Sequence, residues 1–465
     1  MLSRYKLTGL LTLLLIPLTG LPAMAQQVGE APALGNNRIT QVDIINNVYT
    51  LLDIRRKGRD IFSTPFNTLD GFGDGPGVDP NDPTSPGGRP TLQNNGNFLR
   101  VNGLDSQSCV ECHGILSNAT IPPEFAIGGV GGVGANAMGG ATEIDVDDSD
   151  GNGYAFYNGR FINPPFVFGS GGVELVGKEM TANLQEIKQK SLQNQGIVFQ
   201  LDTHGVNFGS IVSGFGGIDT SNVQGIDDDL VVRPFGRKGE FISTRAFDRG
   251  AMAFHFGMQP VEEVGNNIDD DGDGYVNEIL EGELSALHIF SATMERPVQG
   301  PTSINGYAQF VAAGCDDCHV PNIATRTPIL TMSHPEVEDN PNANVFYSVK
   351  LTAAPTNFTQ TSNGQGINVS MFSDLKRHDM GLALAESTGG PLDTLFITAR
   401  LWGVADTGPW LHDGRALTLT EAILAHGGEA QPSADYFQNT SNANKLAILA
   451  LLRSLRTPTS VGSDL

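Results

Sequence analysis

The chain has 465 residues, with 28 basic and 51 acidic side chains, so its net charge is −23 at pH 7. Such an acidic chain is not suited to nucleic acid, because phosphate binding needs clustered lysines and arginines. The charge favours a basic protein partner or a cation, or it simply keeps an exported protein soluble. With 57 glycines and 26 prolines, the sequence predicts a loop-rich protein of two or three domains.

The first 25 residues have the three parts of a secretory signal peptide. Arg4 and Lys6 form a basic start, residues 7–21 are apolar, and small residues end at Ala25. The alternative is a membrane anchor, but the apolar run is short and Pro17 interrupts it. We therefore expect cleavage after Ala25 and a mature protein that is periplasmic or secreted, with no stable membrane insertion.

Helical patterns recur along the rest of the chain. In chain order they cover residues 39–66, 282–297, 304–314 and 442–458. Glycine-rich loops are predicted at 70–90 and 127–140. A hairpin or extended segment is predicted at 345–360.

All four cysteines lie in two segments with the same frame, SCVECHG and GCDDCHVP. Two cysteines at this spacing, followed directly by histidine, are typical of c-type haem attachment. The thiols bond to the haem vinyl groups, and the histidine becomes the proximal ligand of the iron. The sequence therefore predicts two covalently bound haem c groups. The predicted sets are Cys109, Cys112 and His113 for the first haem, and Cys315, Cys318 and His319 for the second.

Three other interpretations of the cysteines fit the sequence less well. Two disulfides suit an exported protein, but they do not explain a histidine at the same offset in both pairs. One zinc site built from all four thiolates needs no histidine there. A thioredoxin-like redox pair would have a βαβ context, which the pattern lacks.

Each haem motif lies between an opening helical pattern and a closing one, which is the plan of cytochrome c. The predicted fold is therefore mainly α, with two cytochrome c-like haem domains carrying long loops and insertions. We expect the signal peptide at 1–25, the first domain at 26–299 with the insertions, and the second domain at 300–465.

An acidic loop at residues 266–278 has the frame of an EF-hand-type calcium loop, with alternating aspartates and a turning glycine, Gly274. The predicted Ca²⁺ ligands are Asp269, Asp271, Asp273 and Glu278, with Glu281 as the alternative to Glu278. A second acidic segment repeats the theme with Asp148, Asp150 and Asn152. The alternative for both segments is a solvated acidic turn.

Three segments near the C-terminus carry a family resemblance: KRHDMG at 376–381, TGPWLHDGRALTLTEAI at 407–423 and AHGGEA at 425–430. With the two haem motifs in order, they resemble the bacterial di-haem cytochrome c peroxidase superfamily. The closest likeness is to its di-haem oxidoreductase, peroxidase-like branch and to the di-haem maturase of methylamine utilisation. The resemblance covers most of the mature chain.

The resemblance implies ligands for the second haem. In the family, the position after the "EA" helix carries the distal ligand of that haem, and here it is His426. The alternative is a surface histidine beside a glycine turn. Arg415 is the expected partner of a haem propionate, because guanidinium binds carboxylate in a bidentate manner.

The resemblance also implies an acid–base group over the first haem, where peroxidases use a glutamate to assist cleavage of the O–O bond. His255 lies near that position, either as the acid–base group or as the sixth ligand of the iron. Glu262 and Glu263 are the rival acid–base candidates, and simple packing of His255 is the third possibility. The peroxidases place a tryptophan between the haems from the first domain, whereas the tryptophans here are Trp402 and Trp410.

The implied function is that of a di-haem peroxidase-like oxidoreductase. A small donor protein, a cytochrome or cupredoxin, would pass electrons through the second haem to the first, which would reduce peroxide or oxidise a substrate. The alternative is an electron-transfer cytochrome with two six-coordinate haems and no peroxide chemistry. A further hypothesis is a haem-bearing, calcium-binding surface protein.

Overall fold

The computed structural model describes residues 31–73, 107–114, 163–301, 304–386 and 392–459, and six short strands between residues 91 and 161. The predicted signal peptide lies outside the described residues. So do most of the glycine-rich loops of the first half and the second acidic segment with Asp148, Asp150 and Asn152.

Ten α-helices form within the described part of the chain, and side-chain caps define several of their starts. Thr40 and Thr50 each form a capping box with the aspartate three residues later, Asp43 and Asp53. The helices are α1 (Gln41–Ile45), α2 (Leu51–Ser63), α3 (Ser170–Gln193), α4 (Thr244–Ala251), α5 (Val261–Val264), α6 (Glu281–Ala292), α7 (Ile304–Ala312), α8 (Leu419–Leu424), α9 (Gln431–Asn439) and α10 (Asn442–Leu452).

The described strands pair in eight small antiparallel sheets of two or three strands. The strands are β1 (Thr91–Leu92), β2 (Asn97–Phe98), β3 (Val133–Gly134), β4 (Ile144–Asp145), β5 (Phe156–Tyr157), β6 (Arg160–Phe161), β7 (Val198–Thr203), β8 (Val206–Gly214), β9 (Gly217–Val223), β10 (Val298–Gln299), β11 (Ile323–Ala324), β12 (Ile329–Ser333), β13 (Val345–Lys350), β14 (Thr359–Gln360), β15 (Ile367–Val369), β16 (Arg377–Asp379), β17 (Leu395–Ile397) and β18 (Leu455–Arg456).

The prediction of a mainly α fold is wrong. Helices hold 34% of the residues and strands 17%, spread over several small sheets. The largest departure is the meander β7–β8–β9, whose first turn has His204 and Gly205 in the left-handed region, at φ 52° and 80°. Such a turn matches the twist of a two-strand hairpin. A helix could not accommodate two consecutive residues in that conformation.

The main hydrophobic core lies around the contact of α2 with α6. Gly58 of α2 faces α6 so closely that a Cβ atom there would lie 2.2 Å from the carbonyl oxygen of Ala286. Glycine at this position therefore lets the two helices approach. The same core contains Phe290 and Leu284 together with Met371 and Trp402 from the C-terminal part. The domain boundary at 299/300 stays a prediction.

A second, smaller core lies under α7 and α10, with Phe310, Ile448 and Leu452 among its buried residues. Strand β10, at the predicted boundary, pairs with β18 near the end of the described chain. Among the helices of the described residues, none has both the length and the apolar composition that crossing a bilayer requires.

Candidate haem sites and cation loop

The first C-x-x-C-H motif forms one tight turn. The backbone N–H groups of Cys112 and His113 both donate to the carbonyl of Cys109, at 3.2 and 2.8 Å. The His113 Nδ1 lies 2.7 Å from the carbonyl oxygen of Pro165. Because a carbonyl only accepts, Nδ1 must carry the proton, and the lone pair is then on Nε2. The turn therefore presents two thiols and one imidazole nitrogen suited to a metal.

Aromatic rings surround His113. Its ring centroid is 5.8 Å from that of Phe247 and 6.4 Å from that of Phe62. Burial lowers the pKa of His113, and the nearby His255 lowers it further. The imidazole is thus held neutral at pH 7, as a metal ligand requires.

The second motif repeats this arrangement. The backbone N–H of His319 donates to the Cys315 carbonyl at 2.9 Å, and its Nδ1 lies 3.1 Å from the carbonyl oxygen of Phe372. Phe372 has φ 56°, a conformation that a bulky residue adopts only where the surrounding structure enforces it. Burial, with a smaller contribution from His426, lowers the pKa of His319 to about 4.

His426 lies opposite His319. Its Nδ1 is 2.8 Å from the carbonyl oxygen of Ala422 in α8, so its Nε2 also carries a lone pair. The two ring centroids are 6.4 Å apart. Imidazole bonds to a metal at about 2.0–2.1 Å, and a ring nitrogen lies about 1.1–1.2 Å from the ring centre, so two trans imidazoles place their centroids about 6.2–6.6 Å apart. The observed spacing fits an iron held between His319 and His426.

Five other histidines differ from His113, His319 and His426 in the partner of their Nε2 atom. In each of them Nε2 faces a carboxylate. The pairs are His204 with Glu179 at 2.7 Å, His288 with Glu174 at 2.9 Å, His334 with Glu281 at 3.4 Å, His378 with Asp374 at 2.9 Å and His412 with Glu386 at 3.3 Å. An Nε2 engaged by a carboxylate is not presented to a metal, so the hydrogen bonding separates these five histidines from His113, His319 and His426.

His378 adjoins the second motif in another role. Burial lowers its pKa, but hydrogen bonds to Asp374 and to the Cys318 sulfur, with a further contribution from Glu429, outweigh this and raise the pKa to about 11. It is therefore a cation beside the second motif.

His255 occupies the π-helical turn Met252–Phe256 that follows α4. Such turns are rare and occur often at functional sites. His255 lies close enough to His113 to contribute to the lowering of the His113 pKa.

The two rival glutamates lie in different settings. Glu262 forms an ion pair with Arg245 at 2.6 Å, and the side chains are 7% and 0% exposed. Burial raises the pKa of Glu262, but Arg245 outweighs it and the net pKa is lowered. An acid–base group at neutral pH needs a pKa near 7, so this carboxylate is suited to anchoring Arg245. Glu263 is paired at 3.0 Å with the half-exposed Arg249.

Two arginines are relevant to haem propionates. Arg415 donates through Nε to Asp413 at 2.6 Å and through Nη1 to the carbonyl of Ala383 at 2.6 Å. Arg400 was not predicted, since nothing in its spacing distinguishes it. It donates to the Pro234 carbonyl at 3.0 Å, and burial lowers its pKa to about 10. No carboxylate of the described residues pairs with Arg400, so its guanidinium suits a propionate.

Trp402 is buried in the main hydrophobic core and packs against the start of the segment that leads into α3. A Cβ atom on Gly169, four residues after Pro165, would lie 2.7 Å from the Trp402 ring. On its other side, Leu401 donates to the carbonyl of Met371, which precedes Phe372. The Trp402 ring thus faces Gly169, while its backbone neighbour Leu401 is bonded to the residue before Phe372. Trp410, by contrast, donates its Nε1–H to Val404 at 2.9 Å within the smaller core.

The acidic loop brings its predicted residues together. One carboxylate oxygen from each of Asp269, Asp271 and Asp273 lies within 4.8 Å of the others. Glu278 is 2% exposed, and burial together with these aspartates raises its pKa to about 8. Glu281, the alternative ligand, instead faces His334 at 3.4 Å.

Residues 357–455, about a fifth of the chain, match a family described as "Di-haem oxidoreductase, putative peroxidase". No curated protein matches the chain. The matched segment holds Trp402, Arg415 and His426, whereas both C-x-x-C-H motifs precede it. The resemblance of this chain to the di-haem oxidoreductase, peroxidase-like branch is therefore confirmed through its C-terminal region.

Proposed function

We propose that the protein is a di-haem c-type oxidoreductase that reduces peroxide outside the cytoplasm. It would receive electrons from a small cytochrome or cupredoxin. The observation that carries the proposal is the shared hydrogen bonding of His113, His319 and His426, each with Nδ1 on a backbone carbonyl. Two of these histidines follow cysteine pairs, and the third faces one of them, so the chain offers two non-equivalent haem sites.

The second site is suited to electron transfer. His319 and His426 would both hold the haem iron, which favours electron transfer over binding of a small ligand. Cys315 and Cys318 would hold the haem covalently, and the charged His378 lies beside the Cys318 sulfur.

The first site is suited to chemistry. Cys109 and Cys112 would hold the haem, His113 would be the proximal ligand, and the bound iron would supply the redox chemistry at the peroxide. Reduction of one peroxide to two water molecules takes two electrons from the donor protein and two protons. We assign the proton transfer to His255 of the π-helical turn, because imidazole is the side chain that most often acts as a general acid or base.

The remaining residues connect and hold these sites. Trp402 would relay electrons, since it touches the segment that carries Pro165 and follows directly on Leu401. Arg400 would bind a propionate, because a partly buried guanidinium without a carboxylate partner among the described residues gains from a charged one. The signal peptide and the acidic surface support a location in the periplasm or the medium, where covalent attachment retains the haem.

Titration of the half-reduced holoprotein with cyanide and with peroxide, followed by absorption spectroscopy, tests this proposal. We expect the first haem to bind cyanide and to react with peroxide. The His255→Ala variant should lose peroxide turnover by roughly 10²–10⁴-fold while the low-spin signal of the second haem is kept. His204→Gln is the matched control, because His204 is engaged by Glu179.

The same titration distinguishes the alternative function. If His255 is an axial ligand, both haems are low-spin and refuse cyanide and peroxide, and His255→Ala opens the first iron. That outcome would replace the peroxidase by a two-haem electron-transfer cytochrome.

A further inference from the structure

We propose that Asp248, in a buried polar cluster between α3, α4 and α6, binds one proton when the haem of the first C-x-x-C-H motif gains an electron. The electron comes from the donor protein and the proton from solvent, and oxidation of the haem releases the proton again. This inference rests on the proposed function, because it requires a haem at that motif. It concerns a residue outside the peroxide chemistry assigned to His255.

Asp248 lies on the buried face of α4, one turn after Thr244. The residue is 8% exposed, and its Oδ2 atom has no hydrogen-bond partner among the described residues. A buried carboxylate oxygen that no donor reaches is costly in its charged form. Arg245, the nearest cation of the same helix, is already paired with Glu262 at 2.6 Å, so it compensates Asp248 only in part. The geometry therefore favours a carboxyl group that holds a proton.

Glu174 of α3 lies at the centre of the cluster. It is fully buried, and Lys178 Nζ and His288 Nε2 each lie 2.9 Å from one of its oxygens. The backbone N–H of Thr244 donates to the same carboxylate at 3.5 Å, which joins α4 to α3. Burial raises the pKa of Glu174, but His288 and Lys178 outweigh it and lower the pKa to about 2. Glu174 therefore keeps its negative charge and engages the cation that could otherwise compensate Asp248.

Glu336, in the segment after β12, is the third carboxyl group. Its Oε2 accepts the Ser243 hydroxyl at 2.7 Å, and its Oε1 is buried without a partner in the described part of the chain. Burial raises the pKa of Asp248 well above its usual range; Arg245 opposes this, whereas Glu174 and Glu336 add to it. The two neighbouring carboxyl groups thus support proton binding at Asp248.

A surface cleft connects the cluster with solvent. Lys178 and Glu336 line it together with Ser333 and Glu338. The side chain of Glu338 is 53% exposed. Glu336, whose pKa burial raises, lies between this cleft and the Ser243 hydroxyl at the start of α4. A proton from solvent therefore has polar groups along its way to α4.

Helix α4 also brings the cluster to the first haem motif. The ring of Phe247, the residue before Asp248, lies 5.8 Å from the His113 ring. Burial raises the pKa of the Cys109 thiol, and the charge of Asp248 raises it further, so Asp248 is within electrostatic reach of a sulfur that would hold the haem. Reduction adds one negative charge at the iron, and such a charge raises the proton affinity of a nearby buried carboxyl group. Uptake of the electron is thereby coupled to uptake of the proton.

Spectroelectrochemical titration of the holoprotein at several pH values tests this inference. We expect the midpoint potential of the first haem to fall as pH rises, by up to about 59 mV for each tenfold drop in proton concentration, the value for one proton per electron. Asp248→Asn is isosteric but cannot bind the proton, so its potential should not depend on pH over the same range. Asp60→Asn is the matched control, since that side chain is 60% exposed, and it should keep the wild-type slope. A slope that persists in Asp248→Asn would overturn the inference, because another group would then bind the proton.

A second measurement does not depend on a variant. Redox-induced infrared difference spectra of the wild type should show a protonated carboxyl band that grows on reduction and shifts in heavy water. Absence of this band would overturn the inference even if Asp248→Asn failed to fold. A pH-dependent potential without peroxide turnover would refute the proposed peroxidase and leave this inference intact, whereas turnover with a pH-independent potential would refute this inference alone.

Discussion

Removal of the Glu262 carboxylate gives the sharpest stability prediction. Arg245 is completely buried, and Glu262, at 2.6 Å, is its only charged partner closer than 3 Å in the described part of the chain. Ser285 Oγ and the carbonyl of Glu281 accept its other N–H groups but carry no charge. Breaking a buried ion pair from one side typically costs about 3–5 kcal/mol. We expect Glu262→Gln to lower the free energy of unfolding by about that amount at pH 7.

The pH dependence follows from the lowered pKa of Glu262. A carboxyl group with a depressed pKa in the folded state contributes stability above its unfolded pKa, about 4.3, and loses it as pH falls through the folded value. The difference between wild type and Glu262→Gln should therefore be constant from pH 5 to 8, as rough limits, and should shrink below about pH 4. Urea unfolding followed by circular dichroism at each pH measures it.

A matched variant controls for loss of charge. Glu263→Gln removes the neighbouring carboxylate, whose side chain and Arg249 partner are 39% and 40% exposed. Exposed pairs contribute about 0–1 kcal/mol, so this variant should be nearly neutral. If the two variants were equally stable, or if the Glu262→Gln deficit persisted unchanged to pH 3, the ion pair would not hold the fold as argued.

Three further changes test other parts of the structure. Gly58→Ala should destabilise the protein by about 1–3 kcal/mol in urea unfolding, because its Cβ would collide with Ala286. Arg400→Gln should lower the midpoint potential of one haem in a spectroelectrochemical titration, because the partly buried positive charge favours the reduced form. Trp402→Phe should slow electron transfer between the haems after flash reduction and leave both absorption spectra unchanged.

Each of these has a control in the chain. Gly214→Ala meets no atom within 4 Å and should change stability by less than about 0.5 kcal/mol. Arg415→Gln removes a guanidinium already paired with Asp413 and should shift the potential less than Arg400→Gln. Trp410→Phe should leave the electron-transfer rate unchanged; equal slowing in both tryptophan variants would contradict a relay through Trp402.

Local sequence patterns predicted the features that depend on residues close to one another along the chain. The two C-x-x-C-H turns are short, and the spacing alone places the thiols and the imidazole together. The helical patterns at 282–297, 304–314 and 442–458 correspond to α6, α7 and α10. The aspartates of the loop are also close in sequence, so their clustering follows from the turn at Gly274.

What the sequence could not supply depends on distant contacts. Pro165 and Phe372 contact His113 and His319 through their backbone carbonyls. Because every residue has such a carbonyl, the sequence does not show which residues make these contacts. The pairing of Glu262 with Arg245 follows from packing between α4 and α5. Strands β7–β9 were not predicted, because their stability depends on cross-strand pairing and packing that a single segment does not show, and the predicted fold class was therefore wrong.

The central claim is that the two haem sites differ, with His319 and His426 closing the second. Electron paramagnetic resonance of the oxidised holoprotein, compared between wild type and His426→Ala, tests it most directly. We expect the wild type to show a low-spin signal of a bis-histidine haem, and the variant to convert that signal alone to high-spin. An unchanged low-spin signal in the variant would contradict the account, because His426 would then not be a ligand of the second haem.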